Sequence, residues 1–167
     1  MRSLFVICLI IIPQCISAQN LVINPSFECG LESCFYLEHS EDLAKHACGW
    51  ISPTQATPDV MNMHLYQCYL YVTGIQMPRT GNRYAGIYTY FGKTFSTSYR
   101  EYLQVELNKP LTEGEFYCGE MYVSTAERPM YESNNIGMYF HKDKMISSTK
   151  GPLFQVPQIN ETSVIKD

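Results

Sequence analysis

Tryptophan is nearly missing from this chain of 167 residues, which holds 1 tryptophan against 13 tyrosines. Positive charge is scarce as well: 12 basic side chains face 16 acidic ones, a formal net charge of −4. That balance excludes the basic footprint that a nucleic-acid backbone requires. Apart from one run at the start, no apolar stretch approaches the ~20 residues of a membrane-spanning helix. Internal repeats and low-complexity tails are lacking. So are the commonest catalytic signatures: there is no serine nucleophile elbow, no His-Glu-x-x-His and no glycine loop to cradle a phosphate.

What is present begins with a leader. Arg2, an apolar run from Leu4 to Ile12 and the small-residue exit Ser17-Ala18 have the build of a secretory signal peptide over residues 1–19. Cleavage is expected after Ala18 or Gln19; a lipoprotein site at Cys15 is the alternative, against which stands the bulk of Gln14 where such sites usually want a small residue. Losing Arg2 and no acid makes the mature formal charge −5, with 11 basic against 16 acidic side chains. Residues 20–167 suffice for one domain with a core, not for two ordinary ones.

Cys8 and Cys15 leave with the leader, so Cys29, Cys34, Cys48, Cys68 and Cys118 remain. An oxidising compartment favours disulfides, and two bridges among the first four cysteines allow three connectivities. Cys118, inside an alternating pattern, is expected to be a small buried hydrophobe. The cluster of Cys29, Cys34, His39, His46 and Cys48 lacks the paired short spacers of structural zinc sites, so disulfides account for it better.

Tyrosine and β-branched residues favour strands. Leu21 to Phe27 reads as an edge strand that tolerates Pro25, and further strands are expected at Leu65–Val72, Tyr84–Phe91, Tyr99–Leu107, Glu115–Ser124 and Asn135–His141. Between Cys29 and Cys48 lies an insertion with one short helix, Ser40 to His46, with Ser40 as N-cap. Trp50 to Asn62 contains Pro53 and Pro58 and reads as a surface loop. The spacing implies an all-β sandwich or barrel.

Period-two counting puts Tyr84, Gly86, Tyr88 and Tyr90 on one face of their strand, and Arg100, Tyr102, Gln104 and Glu106 on one face of theirs. A tyrosine face with polar neighbours suits sugar rings, through ring stacking and phenol hydrogen bonds. The same residues also suit a half-exposed sheet face with no ligand.

Asn20-Leu-Val-Ile-Asn-Pro-Ser-Phe-Glu28, Trp50, and Tyr102-Leu-Gln-Val-Glu-Leu-Asn-Lys-Pro-Leu-Thr-Glu-Gly114 followed by Phe116-Tyr117 resemble galactose-binding-like jelly-roll carbohydrate-binding modules. Further matching segments are Ser52–Asp59 with Asn62, Gln76–Gly81 with Tyr84–Ile87, Tyr99–Gln104 and Asn135–Met138. They resemble the module found at the N-terminus of Gram-negative surface proteins, often ahead of an OmpA-like peptidoglycan-binding domain. The resemblance implies a jelly-roll β-sandwich over 20–167 and a glycan or cell-envelope polysaccharide as partner. It implies a protein exported to the cell surface, to the outer membrane or outside the cell. The family pattern continues past Asp167 into a closing strand or two, so the module is expected to be incomplete. It also implies a structural Ca²⁺ near the first strand, with Glu28 as one ligand; calcium needs six or more oxygens.

Trp50 reads either as a core anchor or as a stacking platform. Asp59, Asn62 and Arg79, in loops at one end of the sandwich, are expected polar contacts for a ligand, alongside Tyr88, Tyr90, Arg100 and Tyr102. Glu101 points to the core side and calls for an ion-pair partner such as Arg79 or Arg83. Glu101, Glu106, Glu115 and Glu120 sit on strands, yet nothing fixes two carboxylates across a scissile bond. A non-catalytic glycan-binding module is therefore expected, with a structural or adhesion domain as the alternative and a secreted glycoside hydrolase behind both.

Overall fold

A computed structural model describes residues 19–31, 39–64, 76–90, 99–127 and 131–165. The leader up to residue 18, the expected strand Leu65–Val72, Phe91, Cys34 and Cys68 lie outside the described residues. Within them the regular structure is β, with one short helix. A 3₁₀ turn, Ser40–Asp42, leads into α1, Leu43–His46. The strands are β1 Trp50–Ile51, β2 Asp59–Asn62, β3 Arg83–Gly86, β4 Gln104–Val105, β5 Ile136–Met138 and β6 Ile159–Glu161. They form three antiparallel two-strand ladders, β1 with β4, β2 with β3 and β5 with β6. No helix among the described residues is long and apolar enough to cross a membrane.

The opening segment is a turn more than a strand. Its one ladder contact is the bridge Val22 to Leu107, extended by Asn108 N–H donating to Leu21 O at 2.9 Å. Beyond it Asn24 (φ 49°) and Phe27 (φ 61°) adopt left-handed backbone, which ends an extended run. Pro25 takes the second place of a turn closed by Phe27 N–H on Asn24 O at 3.2 Å. Period-two reading had no means of seeing two left-handed residues within one apolar segment.

That turn organises its surroundings. The Asn24 amide donates to Cys29 O at 3.0 Å and to Cys48 O at 3.2 Å, while its oxygen accepts from Cys29 N–H at 3.0 Å. Cys29 and Cys48 are joined by a disulfide. Gly30 is required here: a Cβ on it would lie 2.1 Å from His46 O, and its φ is +148°. The short helix falls where its sequence places it, but Ser40 opens the 3₁₀ turn instead of capping it. Asp42 bonds Lys45 at 2.6 Å one turn along, an exposed pair of modest value.

Leu43, Ala47 and Val60 form the buried cluster, with Phe27, Trp50 and Leu103 against it. Trp50 is thus a core-side anchor: its ring lies 4.8 Å from that of Phe27 and its Nε1–H donates to Asn24 O at 2.9 Å. Removing the bridge by Cys29→Ser with Cys48→Ser should cost about 2 kcal/mol, toward the low end for a loop of this length. Urea unfolding followed by Trp50 fluorescence reads this directly, and an unchanged midpoint would contradict it.

Three expectations fail. Residues 115–124 form no strand and are mostly exposed, and Cys118 is an exposed thiol, not a buried hydrophobe. Alternation creates a strand only where a neighbouring backbone accepts its hydrogen bonds. The segment Trp50–Asn62 is no surface loop, because Pro53, Thr54, Ala56 and Pro58 are buried and Asp59–Asn62 pairs fully with β3.

Candidate functional site

Arg83 opens β3 and is 4% exposed. Its guanidinium donates to the carbonyls of Phe27 at 3.2 Å, His46 at 3.1 Å and Leu31 at 2.6 Å. The fork geometry of arginine suits three separately placed acceptors, one of them the end of α1. Its backbone N–H and that of Asn82 both donate to Glu28 Oε1, at 2.9 and 2.7 Å. A Cβ on Gly81 would lie 2.2 Å from that same oxygen, so a glycine lets the carboxylate close over the turn. Glu28 therefore caps the entry to β3. Two N–H groups aim their positive ends at it, and among the described residues no group of three His, Cys, Asp or Glu side chains gathers.

The second centre is Glu101, a carboxyl 3% exposed. Tyr88 N–H donates to its Oε2 at 2.7 Å and Tyr99 Oη–H to its Oε1 at 2.8 Å. Its own N–H donates to Tyr88 O at 3.0 Å, so residues 88 and 101 clasp each other twice. Tyr99 Oη also accepts from Thr57 N–H at 3.2 Å. Burial, then the nearby negative charge of Asp59, pushes the Glu101 carboxyl up to about 7 against the pull of these hydrogen bonds. Burial likewise raises the phenols of Tyr88 and Tyr99. The ion pair expected for Glu101 does not form: Arg83 is committed to carbonyls and Arg79 lies over the ring of Tyr122. Backbone and phenol donors satisfy Glu101 where a guanidinium was expected.

The clasp carries a surface cluster. Two residues beyond Tyr88, Tyr90 is 41% exposed, and Arg100, next to Glu101, places its Cζ 4.9 Å from the Tyr90 ring centroid. Tyr131, 55% exposed, meets Tyr90 edge-on at 5.1 Å and 89°. Arg100 is fixed at both ends, with its guanidinium Nη1 donating to Tyr99 O at 2.8 Å and its backbone N–H to Lys150 O at 2.9 Å. Thr89 and Ser133 hydroxyls hydrogen-bond each other, joining the two tyrosine-bearing segments.

Of the residues read as ligand contacts, Tyr88, Tyr90 and Arg100 come together. Asp59 and Asn62 do not lie in loops: both are buried in β2, opposite Gly86 and Arg83, and Asn62 Oδ1 accepts from His64 N–H at 3.0 Å. Arg79 is exposed and lies over the ring of Tyr122, and Trp50 packs against the core. Tyr102 uses its Oη to accept Leu153 N–H at 3.0 Å, which docks the later segment. Tyr131 was missed, since it falls between expected strands and carries no periodic signal. Tyr99 shares a strand face with Glu101 by its spacing of two, and that spacing was the available clue to their bond.

Among the described residues, then, this is an all-β architecture with one short helix, a disulfide and an exposed tyrosine–arginine cluster set on a buried carboxyl. No protein family, curated protein or solved structure matches the chain.

Proposed function

We propose that the chain is a non-catalytic glycan-binding module of the galactose-binding-like jelly-roll class, exported to the cell envelope or beyond, and that Tyr90, Tyr131 and Arg100 form its binding surface. The observation that carries the reading is the exposed Tyr90–Tyr131 pair beside an anchored guanidinium. Tyrosine rings stack on the apolar faces of sugars, and an arginine fork donates to neighbouring hydroxyls. The Cys29–Cys48 bridge agrees with an oxidising destination. Affinity electrophoresis against galactan, xylan, mannan and β-glucan tests it. Tyr90→Ala and Arg100→Ala should each weaken retention roughly tenfold, a loss of ~1.4 kcal/mol, whereas Arg79→Ala leaves it unchanged. Retention by none of these polysaccharides, or equal loss in all three variants, would sink the reading.

A second reading, a structural or adhesion domain, is favoured by a different observation. Phe116, Phe154, Val156 and Ile146 are largely exposed, and large apolar side chains of this kind mark protein contacts where they gather into one patch.

A further inference from the structure

Two stretches of this chain have the pattern Asn-x-Ser/Thr, Asn24-Pro-Ser26 and Asn160-Glu-Thr162. In an exported chain that pattern accepts an N-linked oligosaccharide, provided the middle residue is not proline. The first stretch is closed twice over. Pro25 fills its middle position, and the Asn24 amide donates to Cys29 O at 3.0 Å and to Cys48 O at 3.2 Å, in the turn beside the disulfide. The second is open on both counts. Glu161 holds its middle position, and Asn160, Glu161 and Thr162 are all exposed. We propose that Asn160 is a modification site, carrying an N-linked oligosaccharide that a transferase of the exporting compartment attaches to its side-chain nitrogen. The site needs export alone and is independent of the glycan-binding reading above.

The backbone presents the acceptor groups together. Asn160 is the middle residue of β6 and Thr162 follows its last, so alternation sets the amide and the threonine hydroxyl on one side, with Glu161 on the other. The Glu161 carboxylate turns back on its own chain, Oε1 accepting from Ser163 N–H at 2.7 Å. Across the ladder Asn160 faces Gly137, where a Cβ would lie 2.5 Å from Ile159 O, so no side chain stands opposite the amide. The second substrate is an oligosaccharide carried on a lipid pyrophosphate. The Asn160 nitrogen forms a C–N bond to the anomeric carbon as the C–O bond to phosphate breaks. The lipid pyrophosphate leaves with the electron pair, the nitrogen gives one proton to the enzyme's base, and nothing is oxidised or reduced. Thr162 supplies the hydroxyl by which the transferase grips the acceptor. Among the described residues β6 pairs only with β5, and a bulky, hydrated sugar on it guards the remaining edge against another strand.

Trypsin releases residues 151–166 as one peptide, in which Asn160 is the one asparagine. The test is mass spectrometry of that peptide from the full chain as its own cells export it, before and after peptide N-glycosidase in heavy-oxygen water. The expected result is a glycan mass on most copies, replaced after the enzyme by a labelled aspartate at position 160. In the same cells Asn160→Gln and Thr162→Ala should each abolish the glycan, while Thr162→Ser keeps it. Should a variant fail to fold, the labelled aspartate in the unaltered chain decides alone. A bare peptide from the exported chain, a sugar on Thr162 or Ser163 in place of Asn160, or a glycan that survives Thr162→Ala overturns the proposal. A chain that stays in its cells, bare and with its leader intact, overturns it as well.

Discussion

Replacing Arg83 by methionine should cost about 4 kcal/mol of folding stability, the largest effect expected of any single side chain here. The guanidinium joins three stretches distant in sequence: the turn at Phe27, the segment at Leu31 and the end of α1 at His46. Hydrogen bonds from a charged donor contribute ~1.5–3 kcal/mol each, though the three are not additive. Methionine keeps the bulk and removes every donor, leaving three part-buried carbonyls without their partner. Lysine restores a point charge that reaches one carbonyl well, so Arg83→Lys should recover less than half of the loss. Against a total stability of ~5–15 kcal/mol, the methionine variant approaches the unfolding threshold at physiological temperature. Urea midpoints for the two variants check it. A loss below about 1 kcal/mol would mean that water replaces the guanidinium at all three carbonyls.

The same residue shows where sequence reading reached and where it stopped. Its type and a core-facing Glu101 suggested an ion pair, because buried charges usually find opposite charges. The structure satisfies both with dipoles: Arg83 with carbonyls, Glu101 with an N–H and a phenol. Backbone groups are identical at every position, so their use as partners leaves no trace in residue identity. Composition and the spacing of strand-like segments carried the all-β architecture, and helix start and stop signals placed the turn at Ser40–His46 within its observed bounds. Strand lengths were overdrawn. Tyr99–Leu107 is laddered only at Gln104–Val105 with bridging ends, and Asn135–His141 only at Ile136–Met138. Alternation marks what could pair, while pairing depends on which segment lies alongside. For the surface cluster, Tyr88, Tyr90 and Arg100 were legible as polar-aromatic faces, but Tyr131 is delivered by the Thr89–Ser133 contact, a long-range event.

Stability should fall as pH rises from about 4.5 to about 7, with Glu101 as the group responsible. In the unfolded chain this carboxyl ionises near 4.5, whereas in the fold burial holds its proton until about 7. Between those limits the folded state carries one more proton than the unfolded state, so the unfolding free energy declines with pH. Below the window both states are protonated, and above it both are ionised, so the curve flattens on either side. The full difference amounts to roughly 3 kcal/mol at ~1.36 kcal/mol per pH unit. This runs opposite to a salt-bridged carboxylate, the arrangement expected from residue types, which would lose stability on acidification. Glu101→Gln removes the proton linkage while keeping an oxygen for Tyr88 N–H and an amide for Tyr99 Oη. Urea unfolding at about pH 5 and pH 8 should therefore show the unaltered chain losing most of that 3 kcal/mol and the glutamine variant losing little of it. Above neutrality the variant should be the more stable of the two. Asp59→Asn provides the cross-check, because removing the neighbouring charge eases ionisation and should narrow the pH window, and so reduce the total loss without abolishing it. Equal slopes in the unaltered chain and Glu101→Gln would assign the pH dependence to another group, and a slope of opposite sign would mean that Glu101 has a cationic partner after all.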